Sequence, residues 1–145
     1  MKFFHLSDLH IGKHLFYYSL LEDQKYVFHQ ILEAAKEEQP DAVLLCGDIY
    51  DKTIPSAEAV SLFDWFLTEL KETLPKALIL IIAGNHDRIR PSSALMSFTW
   101  CPNVTFLMSE ELSSVYFRDL NLEVHGFSYH TAEINEARLN GIKAP

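Results

Sequence analysis

An α/β domain is predicted by three features of the sequence. Short apolar runs alternate with longer amphipathic stretches, each early run ends on a cluster of polar residues, and no repeat or low-complexity tract interrupts the alternation. The first run, Lys2 to Leu6, reads as a strand. Ser19-Leu20-Leu21-Glu22 has the spacing of a capping box and opens a helix. Leu20, Val27, Phe28, Ile31, Leu32 and Ala35 give that helix an apolar face until Gln39-Pro40 ends it. Ala42 to Cys46 is a second, buried-type strand. Ser56 caps a second helix, on which Val60, Phe63, Phe66, Leu67 and Leu70 recur at helical spacing until Pro75. Ala77 to Ala83 is the third strand, and its unbroken hydrophobicity suits a parallel sheet covered on both faces. The pattern to this point is βαβαβ. Beyond Pro91, Val104 to Leu107, Val115 to Phe117 and Leu122 to Phe127 are shorter strand candidates that begin a second sheet, followed by a helix from Ala132 to Leu139.

With 145 residues, 48% of them hydrophobic and 22% charged, the chain has the size and composition of one globular domain spanning residues 1–145. The amino terminus has no basic-then-apolar leader, and Ala77 to Ala83 is too short to cross a bilayer, which points to the cytoplasm and away from membranes. Cys46 and Cys101 form neither a CxxC pair nor a multi-cysteine framework, so both read as reduced thiols. A formal charge of -8 argues against a free-standing binder of the phosphate backbone, since that mode needs a lysine and arginine surface. Concentrated carboxylates suit a site for divalent cations instead.

The chemistry lies where the strands end. The first strand runs into Ser7-Asp8-Leu9-His10, the second into Gly47-Asp48-Ile49-Tyr50-Asp51, and the third into Gly84-Asn85-His86-Asp87. The carboxyl ends of parallel strands form the ligand-binding edge of an open sheet, so the three clusters converge. Asp8 and His10, two residues apart, can aim an oxygen and a nitrogen at one cation. Asp48 follows a glycine that allows a tight turn, and its two oxygens can bridge a pair of metals. Asn85 adds a neutral oxygen, and mixed oxygen and nitrogen donors without thiolate favour Mn2+ or a similar ion over structural zinc. His86, directly after Asn85, is better cast as a reaction participant that handles phosphate, with Asp87 orienting its ring. Two metals would activate water and clamp a phosphate for in-line attack.

These three clusters resemble the opening motifs of the calcineurin-like metallophosphoesterases. Around them, Ser7 to Lys13 and Gly47 to Ser56 are similar to SbcD-type nuclease subunits, and His125-Gly126-Phe127-Ser128-Tyr129 resembles a later strand of the family. The resemblance implies an α-β-β-α sandwich, of which this chain would be the amino-terminal part. It implies Asp8 and His10 on the first of two divalent ions, Asp48 bridging, Asn85 on the second, and His86 as the catalytic histidine. The implied reaction is Mn2+-dependent hydrolysis of DNA phosphodiesters, by a homodimer working with an SbcC-type ATPase that supplies much of the grip on DNA.

The sequence departs from the family in two places. Relatives complete the two-metal site with a downstream Gly-His-x-His motif that does not occur here, and Gly141 to Pro145 follow a second sheet barely begun, so a truncated half-site is the expectation. Arg88-Ile89-Arg90-Pro91 also differs from the small and acidic residues expected there. His125 and His130 fall on a structural strand and the loop after it and are not enlisted. Competing readings stand beside the functional ones. Asp51 reads as ordering its loop behind the metals; Lys13, His14, Arg88 and Arg90 either touch DNA phosphate or simply sit on exposed loops. His5 and His29 read as packed or solvated. Phe16, Tyr17 and Tyr18 favour core packing or a dimer contact over base stacking. The same motifs would also serve another phosphate ester, such as a phosphoprotein or cyclic nucleotide, and the missing histidines would suit a non-enzymatic interaction module.

Overall fold

The computed structural model describes residues 1–87, 95 and 104–129. Four strands, β1 (Phe3–Leu6), β4 (Ala42–Cys46), β5 (Leu78–Ile82) and β6 (Val104–Phe106), form one parallel sheet in the order β1-β4-β5-β6. A small hairpin of β2 (His14–Leu15) and β3 (Tyr18–Ser19) leaves the sheet after β1. An antiparallel pair, β7 (Ser113–Phe117) and β8 (Leu122–Gly126), stands apart from the main sheet. Helix α1 (Leu21–Glu38) makes the crossover from β1 to β4, and α2 (Ala57–Thr73) the one from β4 to β5.

Register explains where the core lies. Val43 pairs with Ile79 and Leu45 with Ile81, and all four are fully buried. Phe4, Leu6, Val104 and Phe106 extend that face across the edge strands. Against it pack Phe28, Leu32 and Ala35 of α1 and Phe63, Phe66 and Leu70 of α2, with the Phe28 and Phe66 rings stacked 4.4 Å apart. Burying side chains of this size contributes about 1.5–3 kcal/mol each, which makes this layer the main source of stability. The opposite face is only partly covered by described residues: Leu44, Cys46, Leu78 and Ile82 are half-buried, and Phe3 and His5 on edge strand β1 are exposed.

Several sequence-based expectations change. Ser19 is not the cap of α1: it pairs with His14 in the hairpin, Leu20 takes the cap position, and the Ser19 hydroxyl accepts only a long 3.5 Å contact from the Leu21 N–H. Val27 is exposed, because the stripe that meets the sheet runs through Phe28, Leu32 and Ala35. Val104–Phe106 joins the first sheet beside β5, where an apolar edge strand gains parallel partners, so only β7 and β8 begin a second one. Ser56 does cap α2, accepting from the Ala59 N–H, and α1 ends at a left-handed Gln39 before Pro40. The expected helix at 132–139, the segment 88–91, Cys101 and His130 lie outside the described residues.

Tyr50 is 2% exposed, with its ring edge-on to Phe63, and its hydroxyl has no hydrogen-bond partner among the described residues. Burial, with the charges of Asp87 and Asp64, pushes that phenol well above its ordinary range. A buried hydroxyl without a partner costs on the order of 1–3 kcal/mol. Tyr50→Phe is therefore expected to leave the thermal midpoint unchanged or raise it, and a clear drop in calorimetry would show that the hydroxyl is satisfied after all.

Candidate metal centre

Strand pairing does not stop where the strands do. The Asp8 N–H donates to Gly47 O at 3.1 Å, His10 N–H to Asp48 O at 2.9 Å and Ile11 N–H to Ile49 O at 2.9 Å, so the loops after β1 and β4 run side by side. Asp8, His10 and Asp48 all hold positive φ, at 56°, 43° and 50°. Aspartate and histidine tolerate that region better than most residues, yet each instance costs on the order of 1–3 kcal/mol. The surrounding hydrogen bonds impose it. Gly84 is required for contact: a Cβ there would overlap the Asp48 backbone nitrogen and carboxylate.

Gln24 of α1 holds the first loop from below. Its Nε2 donates to Leu9 O at 3.1 Å and His10 O at 2.8 Å, while its Oε1 accepts from Gly12 N–H at 3.0 Å. Nothing in the sequence marks Gln24, because its partners are backbone groups across a turn. Thr53, also unmarked, donates to His86 O at 3.1 Å.

These constraints bring His10, Asp48 and His86 together, with one ligand atom from each within 4.8 Å of the others. His10 Nε2 lies 3.9 Å from an oxygen of Asp8 and 3.9 Å from Asp48 Oδ2. Donors bound at ~2.1 Å to one ion stand roughly 3–4 Å apart, so this spacing fits a single cation. The Asp8 side chain is largely exposed at the edge of the cluster, and Asn85, next to His86 in the chain, is exposed. Asp48 Oδ1 accepts the His86 N–H at 2.9 Å, which leaves Oδ2 facing His10.

Asp51 touches both imidazoles. Its Oδ1 is 3.6 Å from His10 Nδ1, a nitrogen buried without a hydrogen-bond partner among the described residues, and 3.9 Å from Lys13 Nζ. Its carbonyl lies 2.7 Å from His86 Nδ1. A carbonyl only accepts, so Nδ1 carries the proton and Nε2 is the free nitrogen. The rings of His10 and His86 meet edge to face at 4.8 Å. His86 is thus near enough to act either as a ligand or as a proton donor.

Asp87 does not orient His86. Its carboxylate is buried and accepts from Ile49 N–H at 3.0 Å, Tyr50 N–H at 2.9 Å and Gly84 N–H at 2.9 Å, joining the second and third loops. Burial raises this carboxyl above its ordinary range, against the lowering effect of those three donors, and the charge of Asp48 adds to the rise. His14 is exposed at the start of the hairpin and Lys13 sits at its root. His125 is exposed on β8, 3.8 Å from Glu123, and His29 packs against Trp65.

Oxygen and nitrogen donors without thiolate, spaced for one ion and set among three aspartates that repel one another unless a cation intervenes, suit a divalent metal. Hard cations held at the carboxyl edge of a parallel sheet serve the hydrolysis of phosphate esters. The chain belongs to the calcineurin-like phosphoesterases, whose family model matches residues 1–143. No described helix is long and apolar enough to cross a membrane.

Two outcomes follow. Gln24→Leu removes all three ties to the first loop and is expected to weaken Mn2+ binding roughly 10–100-fold in calorimetric titration, as when a residue supporting a metal ligand is lost. Asp87→Asn, which places an amide against backbone donors, is expected to cost at least about 1–3 kcal/mol in denaturant unfolding.

Proposed function

We propose that the chain supplies the amino-terminal half of a centre of two divalent ions that hydrolyses DNA phosphodiester bonds once the downstream histidines are provided, Mn2+ being the ion its donor set suits. The observation that carries this reading is the convergence of His10, Asp48 and His86 from three separate strand ends. The DNA substrate is favoured by the similarity of Ser7 to Lys13 and Gly47 to Ser56 to SbcD-type nuclease subunits. On that reading the chain works as a dimer with an SbcC-type ATPase, whose surface would offset the charge of -8.

Asp8 and His10 would hold one ion, Asp48 would contact both, and Asn85 would reach the second. When bound, the ions supply an activated water and neutralise phosphoryl charge. The protein's own residues supply the rest. Asp51 anchors the His86 ring through its carbonyl, so that Nε2, when protonated, gives its proton to the leaving oxygen as the P–O bond breaks. Thr53 and Asp48 fix the backbone on either side of that ring. Asp87 sets the distance between the loops.

With the Gly-His-x-His segment of a relative supplied to complete the site, Mn2+-dependent cleavage of an end-labelled duplex is expected, with His86→Ala lowering kcat/KM by roughly 10²–10⁴ and Asp48→Asn at least as much. Metal chelation is expected to abolish cleavage. Intact DNA alongside turnover of a phosphoprotein or cyclic nucleotide would move the proposal to that ester, and unchanged cleavage by both variants would end it.

A further inference from the structure

The hairpin between the first two motifs carries an aromatic tip that the fold does not use. Phe16 is 91% exposed, Tyr18 68%, and Tyr17 between them is fully exposed, so the core-packing role expected for these rings is excluded. Phe16 also occupies the left-handed region at φ 55°, a turn position that favours glycine or asparagine. A bulky side chain there costs about 1–2 kcal/mol per residue, so folding alone would not select phenylalanine. A ligand for the rings would account for it.

The surroundings indicate which ligand. Leu20 N–H donates to Lys13 O at 3.0 Å, closing the hairpin at its root, and Lys13 Nζ lies 3.9 Å from Asp51, the residue that touches both imidazoles of the centre. On the other side a cleft of about 200 Å³ separates His14 from Lys52 and Ile54 of the second motif loop. In a chain of charge -8, Lys13 therefore ties the root of the hairpin to the phosphoester centre, and His14 and Lys52 face one cleft beside it. Successive exposed rings beside cationic side chains are how proteins bind single strands without sequence preference: rings stack on bases while lysines track phosphates.

We infer that the hairpin from Lys13 to Leu20 is a stacking platform for unpaired DNA, with Phe16, Tyr17 and Tyr18 holding bases and Lys13, His14 and Lys52 holding the adjoining phosphates. This rests on the phosphodiesterase reading above and deepens it by assigning the residues that would grip the bases of the strand. A second copy of the chain is the competing occupant.

The test is fluorescence anisotropy of the full chain, in Ca2+ buffer, with an oligothymidylate and with an oligomer of equal length made of abasic sites. The thymidylate is expected to bind more tightly, and Ala at Phe16, Tyr17 or Tyr18 to weaken it about tenfold per ring while leaving the abasic oligomer unaffected. Lys52→Ala should weaken both oligomers alike and flatten the salt dependence. Phe16→Gly relieves the backbone, so its thermal midpoint should hold or rise while thymidylate binding falls, which separates lost stacking from unfolding. Equal binding of the two oligomers, or ring variants that bind like wild type, overturns the inference. So does a dimer that ring substitution splits in sedimentation without loss of oligomer binding. Hydrolysis of bis(p-nitrophenyl) phosphate by the wild-type chain reports on the centre separately. Turnover without base-dependent binding defeats only the platform, and base-dependent binding without turnover, even after the Gly-His-x-His segment of a relative is supplied, defeats only the phosphodiesterase reading.

Discussion

The Asp87 carboxylate, closed off from solvent, gathers the N–H groups of Ile49, Tyr50 and Gly84, and the geometry of the sheet edge depends on that grip. Parallel strands deliver three chain segments to one edge; the loops after β1 and β4 go on pairing, but no backbone ladder among the described residues joins the loop after β4 to the loop after β5. A charged acceptor with three donors replaces the missing ladder. Because the amides it holds flank Asp48 on one side and His86 on the other, the same contact that satisfies buried backbone also sets the separation of two functional side chains. Burying the charge raises the Asp87 carboxyl, and the three donors oppose that rise, so neither effect acts alone.

Strain is concentrated at the same place. Three residues that face the centre, Asp8, His10 and Asp48, hold left-handed backbone that the loop hydrogen bonds enforce. Those bonds in turn rest on the β1-β4-β5 register and on the core beneath it. The stable layer of Val43, Leu45, Ile79 and Ile81 against α1 and α2 offsets the conformational cost of holding ligands ready. Gln24 shows the coupling directly, since one helix side chain meets the first loop at Leu9, His10 and Gly12. Preorganisation of this kind matters at a centre built from like charges, which repel one another until a cation arrives.

Opposite demands meet in the surface charge. A carboxylate-rich centre attracts metals and repels a polyanion, so any nucleic acid must be held by something other than overall charge. The aromatic hairpin, with lysines at its root and on the neighbouring loop, offers attraction that the net charge does not cancel, because stacking is short-ranged and largely independent of the distant field.

By itself, the sequence determined the βαβαβ order, the strand ends that carry chemistry, the Ser56 cap and the buried stripe of α2. Those features are local: periodicity, turn residues and motif spacing act within one element and its flanks. The family was legible for the same reason, since its motifs are contiguous. Tertiary structure alone decided the rest. Ser19 reads as a cap until its pairing with His14 claims it, Val104–Phe106 reads as a second sheet until Ile79 and Ile81 offer it partners, and Asp87 reads as a helper of His86 until three distant amides are seen around it. Gln24 and Thr53 were invisible because their partners are backbone carbonyls and amides, which every residue possesses and no residue type announces. Local preference is written along the chain, but which donor meets which acceptor across a fold depends on packing that brings residues many positions apart into contact.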